Sequence, residues 1–186
     1  MDIFKREKGF TLYELLISMA LTAVILALAA PSFQSLVERN SLSVEATKIL
    51  SLLSYVRAEA IKRNSSVSLC PSLNGLECDS GSSWMDGWIV FSDQAKSGEL
   101  DHENDRVLRV GEPVTAGYIL YSTKHQQWFG YRSDGVSVGS SGSGNTSFVI
   151  CRPEGLIEGS RVVVSITGRP RFASGLDGKL CEASSG

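Results

Sequence analysis

The chain has 186 residues, which suits one modest globular domain with something added and is too short for two full domains. Its formal net charge is −2 and charged residues make up 20% of it. Whole-chain charge therefore carries no signature of nucleic-acid binding, and any such contact has to come from a local patch. The apolar residues are spread unevenly. From Gly9 to Val37, apart from Tyr13, Glu14 is the one acid or base. Phe10 to Ala30 is an apolar run long enough to cross a bilayer, because about 20 residues rising ~1.5 Å each span the hydrocarbon core. Lys5, Arg6 and Lys8 precede it, which predicts a cytoplasmic N-terminus with the remainder outside.

Three readings fit such a run. One is a secretory signal peptide, for which Ala27-Leu28-Ala29 supplies a cleavage-like site. The second is a plain anchor helix, and the third is a prepilin leader joined to an assembly helix. Glu14 separates them. A carboxylate inside an apolar helix is costly in lipid and marks function, and neither of the first two readings needs one. Gly9-Phe10-Thr11-Leu12-Tyr13-Glu14-Leu15 resembles the type IV prepilin motif. The resemblance implies that residues 1–9 are a leader, that prepilin peptidase cuts after Gly9, and that the new N-terminal Phe10 is methylated. It also implies assembly roles for Glu14, which stands where the family has its fifth-position glutamate, and for Pro31, where the family has a helix-kinking proline. The physics agrees: a buried carboxylate facing the cationic N-terminal amine of a neighbouring subunit fixes the stagger between two helices.

Past Pro31, Ala46, Ile49, Leu50, Leu53, Val56, Ala60 and Ile61 recur at three- and four-residue steps. Glu45, Lys48, Arg57, Glu59 and Lys62 fill the other face. The pattern predicts that the helix continues as an amphipathic segment over residues 31–63, with its stripe on a sheet. Asn40-Ser41 is a soft spot where a break would fit. Residues 64–186 read as a periplasmic β-rich domain. Strand-like runs cover residues 67–70, 87–91, 106–110, 118–121, 128–131, 147–151 and 161–166, separated by turn residues such as Asp134-Gly135. The Gly139–Gly144 tract predicts a flexible loop between strands. The expected class is α+β: one long N-terminal helix, membrane-spanning over residues 10–30, laid on antiparallel β-structure.

Cys70, Cys78, Cys151 and Cys181 all follow the apolar run, which predicts an oxidising compartment where disulfides persist. Three pairings are possible. Cys70–Cys78 is favoured because Pro71, Asn74 and Gly75 supply a turn between them, and Cys151–Cys181 then ties the C-terminal tail to a core strand. No zinc site is expected, since neither spacing is C-x-x-C and only His102 and His125 exist.

Four further blocks are similar to the GspH/FimT/FimU family of minor pilins and pseudopilins. They are Arg63–Pro71, Gly87–Asp93, Val107–Arg109 and Thr167–Arg171. The resemblance runs over essentially the whole chain and implies the pilin fold.

The chain lacks G-x-S-x-G, H-E-x-x-H, the P-loop and G-x-G-x-x-G, so no enzymatic activity, metal or cofactor is expected. His125, in Lys124-His125-Gln126-Gln127, reads as an exposed loop residue. Asp101, Glu103, Asp105 and Glu112 have calcium-loop spacing, but Arg106 stands where that loop requires glycine, which predicts a solvated acidic loop. Gly168-Arg169-Pro170-Arg171 sets two arginines on a turn or tail after a strand. With Arg161, Lys179 and Arg152 they form a candidate cluster for double-stranded DNA, because guanidinium groups fork onto phosphate oxygens without reading sequence. The plain alternative is that they balance Glu154, Glu158, Asp177 and Glu182 or make subunit contacts. FimT-type pilins carry a GRxR motif implicated in DNA uptake, and the resemblance extends that expectation to Arg169 and Arg171.

Together these features predict a minor type IV pilin, held in the bacterial inner membrane by one span, its C-terminal domain periplasmic. Its partners would be prepilin peptidase and other pilin subunits, with which it enters a pilus or its tip or priming complex. The alternative is a GspH-like minor pseudopilin of a type II secretion system.

Overall fold

The computed structural model describes residues 9–153, 159–173 and 181. Helix α1 (Leu12–Arg63) comes first. Strands β1 (Val67–Pro71), β2 (Trp88–Ser92), β3 (Val107–Gly111), β4 (Ile119–Ser122) and β5 (Phe129–Tyr131) follow. They are succeeded by β6 (Ser137–Gly139), β7 (Gly142–Ser143), β8 (Thr146–Cys151), β9 (Ser160–Val164) and β10 (Pro170–Ala173). A short 3-10 turn, Trp84–Asp86, sits between β1 and β2.

The 52 residues of α1 make a rod of about 78 Å at ~1.5 Å per residue. The rod starts at Thr11, whose hydroxyl oxygen accepts the Glu14 N–H while the Glu14 carboxylate accepts the Thr11 N–H. It ends at Asn64, in the left-handed region at φ 51°, whose N–H returns to the carbonyls of Ala60 and Ile61. The helix runs unbroken through Asn40-Ser41 and through Pro31, where the missing N–H leaves the Ala27 carbonyl without its usual partner.

The two halves of the rod differ in what covers them. Residues 9–34 are exposed throughout, and an 18-residue stretch of mean hydropathy 2.2 is 0% buried. Of the predicted stripe, Ala46, Ile49, Leu53, Val56 and Ala60 are buried in the core, joined by Leu42 and Leu52. Glu45, expected on the polar face, is buried too because Lys48 and Thr115 donate to its carboxylate. Leu50 stays at the rim and Ile61 is exposed.

The strands form two antiparallel sheets, in the orders β3-β2-β1-β5-β6-β7 and β10-β9-β8-β4. Helix α1 lies on both, meeting β1 and β5 of the first and β8, β9 and β10 of the second. Aromatic rings join the sheets beneath it. Phe129 packs edge-on against Tyr131 and Phe148 with centroids 5.4 and 5.6 Å away, and Trp84 meets Phe148 at 5.5 Å. The Trp84 indole N–H donates to the His125 carbonyl at 2.8 Å. Cys70 is joined to Cys78 and Cys151 to Cys181, the favoured pairing.

Three loop expectations need correction. His125 is not an exposed loop residue; its exposure is 0%. Its ring lies 5.6 Å from that of Phe129, Nε2 donates to the Ser143 carbonyl at 3.0 Å, and Nδ1 accepts the Ser141 N–H at 3.3 Å. The Gly139–Gly144 tract is a hairpin, with Ser140-Ser141 turning between β6 and β7. Two of its glycines have a packing reason: a Cβ on Gly139 would strike the His125 ring, and one on Gly144 the Ser137 backbone. The 101–105 segment is not simply solvated either. Asp105 is buried and accepts the N–H groups of Gln94 and Asp101, while Asp101 accepts from Glu103 N–H and Asn104 Nδ2. These carboxylates are occupied in folding the loop, and no metal-holding group of three appears among the described residues.

Burial lowers the His125 pKa below its ordinary value, against the Ser143 hydrogen bond and with help from the nearby Lys124 charge. The folded chain therefore binds this proton later than the unfolded chain as pH falls. The stability that His125 contributes is complete above about pH 6.5 and is lost below it, with a slope of at most about 1.4 kcal/mol per pH unit. Thermal midpoints measured from pH 7.5 downward are expected to fall more shallowly in His125→Gln than in the wild-type chain.

Candidate functional site

The sequence-predicted candidates fall in two places on this fold. The first is the free half of α1. Glu14 is exposed on an otherwise apolar surface, and its Oε2 accepts both the Thr11 N–H and the Thr11 hydroxyl at 2.9 Å. Within one chain this pair satisfies two backbone donors at the start of the helix, Thr11 N–H and Glu14 N–H, which in lipid have no water to turn to. Thr11 was not singled out from sequence, although Thr11-x-x-Glu14 has the capping-box spacing that would have found it. Gly9 and Phe10 lie just before the helix, exposed and outside it.

The second place is the β9–β10 hairpin. Val164 pairs with Pro170, and five residues turn between them. Gly168 sits in that turn at φ +79°, buried, and a Cβ there would run into the Gly135 carbonyl oxygen. Glycine is therefore required twice over, by backbone angle and by contact. Arg57 of α1 braces both turns, donating from Nε to the Gly135 carbonyl at 3.0 Å and from Nη2 to the Thr167 carbonyl at 3.4 Å. Ser137 Oγ adds a bond to the Ser165 carbonyl at 3.0 Å. Nothing in the sequence marks Arg57 for this work, because its partners are backbone groups far away along the chain.

The structure sorts the sequence-predicted arginines. Arg169 is exposed on the turn; Arg171 is exposed and belongs to a strand, β10, not to a tail. Neither forms an ion pair among the described residues. Arg171 pairs with Val163, and Arg161 pairs with Ala173 two residues further along the same outer face. Arg161 is partly covered, and its Nε is buried without a hydrogen-bond partner. Arg152 follows Cys151 at the other end of β8 from Thr146, which pairs with Val164 beside the hairpin. That puts Arg152 about 20 Å from the turn, at ~3.3 Å per strand residue. Lys179 lies outside the described residues, as do Glu154, Glu158, Asp177, Glu182 and residues 1–8. The compact part of the cluster is thus Arg169 and Arg171.

Comparison with protein families matches residues 45–168 to the profile described as Type II transport protein GspH. The chain belongs to the GspH family. A second profile, the prokaryotic N-terminal methylation motif, matches residues 4–30. Two crystal structures of the type IV minor pilin FimU from Pseudomonas aeruginosa (strain PAO1) share the fold of this GspH-family chain. One is 20% identical, with a TM-score of 0.57 over 74% of this chain and 91% of FimU. The other is 17% identical, with a TM-score of 0.54 over 71% of this chain and 92% of FimU. No match is found among curated proteins. The pilin fold and GspH/FimT/FimU-type membership expected from sequence therefore hold. A GspH-family chain carrying this N-terminal motif is a structural, pilin-like subunit whose apolar helix serves membrane anchoring and assembly with other pilins.

Proposed function

We propose that this chain is a minor type IV pilin. Residues 1–9 would be its leader, residues 10–30 its span of the inner membrane, residues 31–63 the amphipathic continuation and residues 64–186 the periplasmic domain. The observation that carries the reading is the division of α1: one half packs on the chain's own sheets, and the other is wholly exposed, apolar and interrupted by one carboxylate. That half needs a nonaqueous cover, supplied first by lipid and then by the helices of neighbouring subunits. Prepilin peptidase would act after Gly9, and Glu14 would pair with the amine of an adjacent pilin. Mass spectrometry of chain recovered from membranes is expected to find an N-methylated Phe10 as the first residue. A first residue at Ala30 would mean that the segment is a secretory signal. Deletion of the gene, scored together for surface pili and exoprotein release, separates a pilus subunit from a type II pseudopilin. Loss of pili with secretion intact is expected.

A second role rests on the hairpin. Arg169 and Arg171 are exposed, unpaired among the described residues and carried on a turn held by Arg57, which suits a phosphate backbone. Full-length chain in neutral detergent would then bind duplex DNA in a salt-dependent way. Arg169→Ala with Arg171→Ala is expected to weaken binding at least about tenfold and to lower the salt slope by about two, one for each lost phosphate contact. Unchanged binding by the double variant would remove these residues from the reading.

A further inference from the structure

The end of α1 farthest from its apolar half carries a cleft that the roles above do not use. Arg63, Ser65, Ser92, Gln94, Asn104 and Arg106 line a shallow, open depression of about 600 Å³. Two of the six are cationic and none is acidic. Arg63 has a local explanation, since it ends the helix and its Nε meets Glu59 at 2.7 Å. Arg106 has none. It is exposed, and its guanidinium makes no ion pair with a described residue. Its backbone N–H donates to Ser92 Oγ at 2.8 Å, which fixes the root of the side chain. Ser92 accepts there and keeps its own hydroxyl proton to donate.

We propose that this cleft is a second phosphate contact for duplex DNA, with Arg106 its principal donor. The proposal rests on the DNA reading of Arg169 and Arg171 and extends it across the end of the molecule. The registers set the geometry. Ser92 of β2 pairs with Val67 of β1, and Val67 pairs with Tyr131 of β5, so the cleft and the Arg132–Gly135 turn lie at the same end of the first sheet. Three strand spacings of ~4.8 Å put Arg106 about 15 Å from the β5 end. The β9–β10 hairpin comes next, because Arg57 holds the Gly135 and Thr167 carbonyls together. About 15 Å of the first sheet therefore separates Arg106 from the Gly135 turn on which the hairpin is held, the length of about four base pairs at ~3.4 Å each.

The acidic groups nearby are engaged: Asp93 and Asp105, beside Gln94 and Arg106, are buried and accept the Ser68 hydroxyl and backbone N–H groups of their own loops. Glu59 is occupied by Lys62 and Arg63, and Asp134 by Arg132. The helix-end carbonyls of Ala60 and Ile61 accept the N–H groups of Asn64 and Ser65, which blunts the negative end of the helix dipole. Asp101 and Glu103 share a loop with Asn104 but do not line the cleft.

The test is salt-dependent binding of a short DNA duplex by the full-length chain in neutral detergent. Arg106→Ala is expected to weaken binding severalfold and to lower the salt slope by about one, with the thermal midpoint unchanged. Arg106→Lys is expected to restore the slope, since a phosphate contact needs charge and not a particular fork. Wild-type slope in Arg106→Ala, alongside loss of binding in the Arg169/Arg171 double variant, overturns the second contact and leaves the hairpin reading standing. A folded Arg106→Lys with the alanine variant's slope also overturns it. A wild-type chain that does not bind duplex at all removes both.

Discussion

Glu14→Gln is expected to leave the chain in the membrane and to keep it out of filaments. The substitution preserves size and removes the charge. Insertion should persist, because one polar residue in an apolar stretch of mean hydropathy 2.2 does not prevent partition into lipid. Processing should persist too, since the Gly9-Phe10 bond, the proposed cleavage site, lies outside the helix. What the substitution removes is the proposed attraction between the carboxylate and a neighbouring subunit's amine. Removing one member of a buried ion pair strands the other, at about 3–5 kcal/mol, which is a factor on the order of 100 or more in incorporation. The Thr11 bonds sharpen the test. They give Glu14 a role inside a single chain, so a purely local cap would make Thr11→Ala as harmful as Glu14→Gln. Immunoblots of sheared filaments against membrane fractions should show incorporation lost in Glu14→Gln and largely kept in Thr11→Ala. Equal incorporation by Glu14→Gln and wild type would end the assembly role of this residue.

Trp84→Ala is expected to be the most damaging single change to the globular part. Trp84 is 1% exposed, wedged edge-on against Phe148 where the two sheets meet. Truncation leaves a cavity and costs about 3–5 kcal/mol. It also orphans the His125 carbonyl, which accepts the indole N–H. At ~2–4 °C per kcal/mol for a chain of this size, the thermal midpoint of the full chain in detergent should drop by about 10 °C or more. Trp84→Phe refills part of the volume without the N–H and should fall between. A midpoint within about 2 °C of wild type in Trp84→Ala would show that the junction does not depend on this ring.

Trp84 also marks where sequence reading stops. It lies among Ser82, Ser83 and Asp86, in no periodic run, and its partners come from the 125 and 148 regions. His125 failed for the same reason. Its neighbours Lys124, Gln126 and Gln127 are polar, and the groups that bury it, Phe129 and the β6–β7 hairpin, arrive only on folding. Arg171 was expected on a turn or tail but lies in β10, an edge strand, where a proline such as Pro170 is tolerated. By contrast, Ala46, Ile49, Leu53, Val56 and Ala60 were legible as a buried stripe, because helical periodicity is a local property.

The sequence by itself determined the long helix, its apolar first half, the lone acid at Glu14 and the antiparallel β-rich remainder. Each of these follows from residue type at short spacing, where propensity, hydropathy and turn chemistry act. Tertiary structure alone decided which arginines stand together. Arg169 and Arg171 share a braced hairpin, Arg152 is carried to the opposite end of β8, and Arg106 reaches the hairpin's end of the molecule from another sheet. Strand pairing and the Arg57 brace set those distances, and both depend on contacts between residues remote in the chain, which spacing along the sequence does not encode.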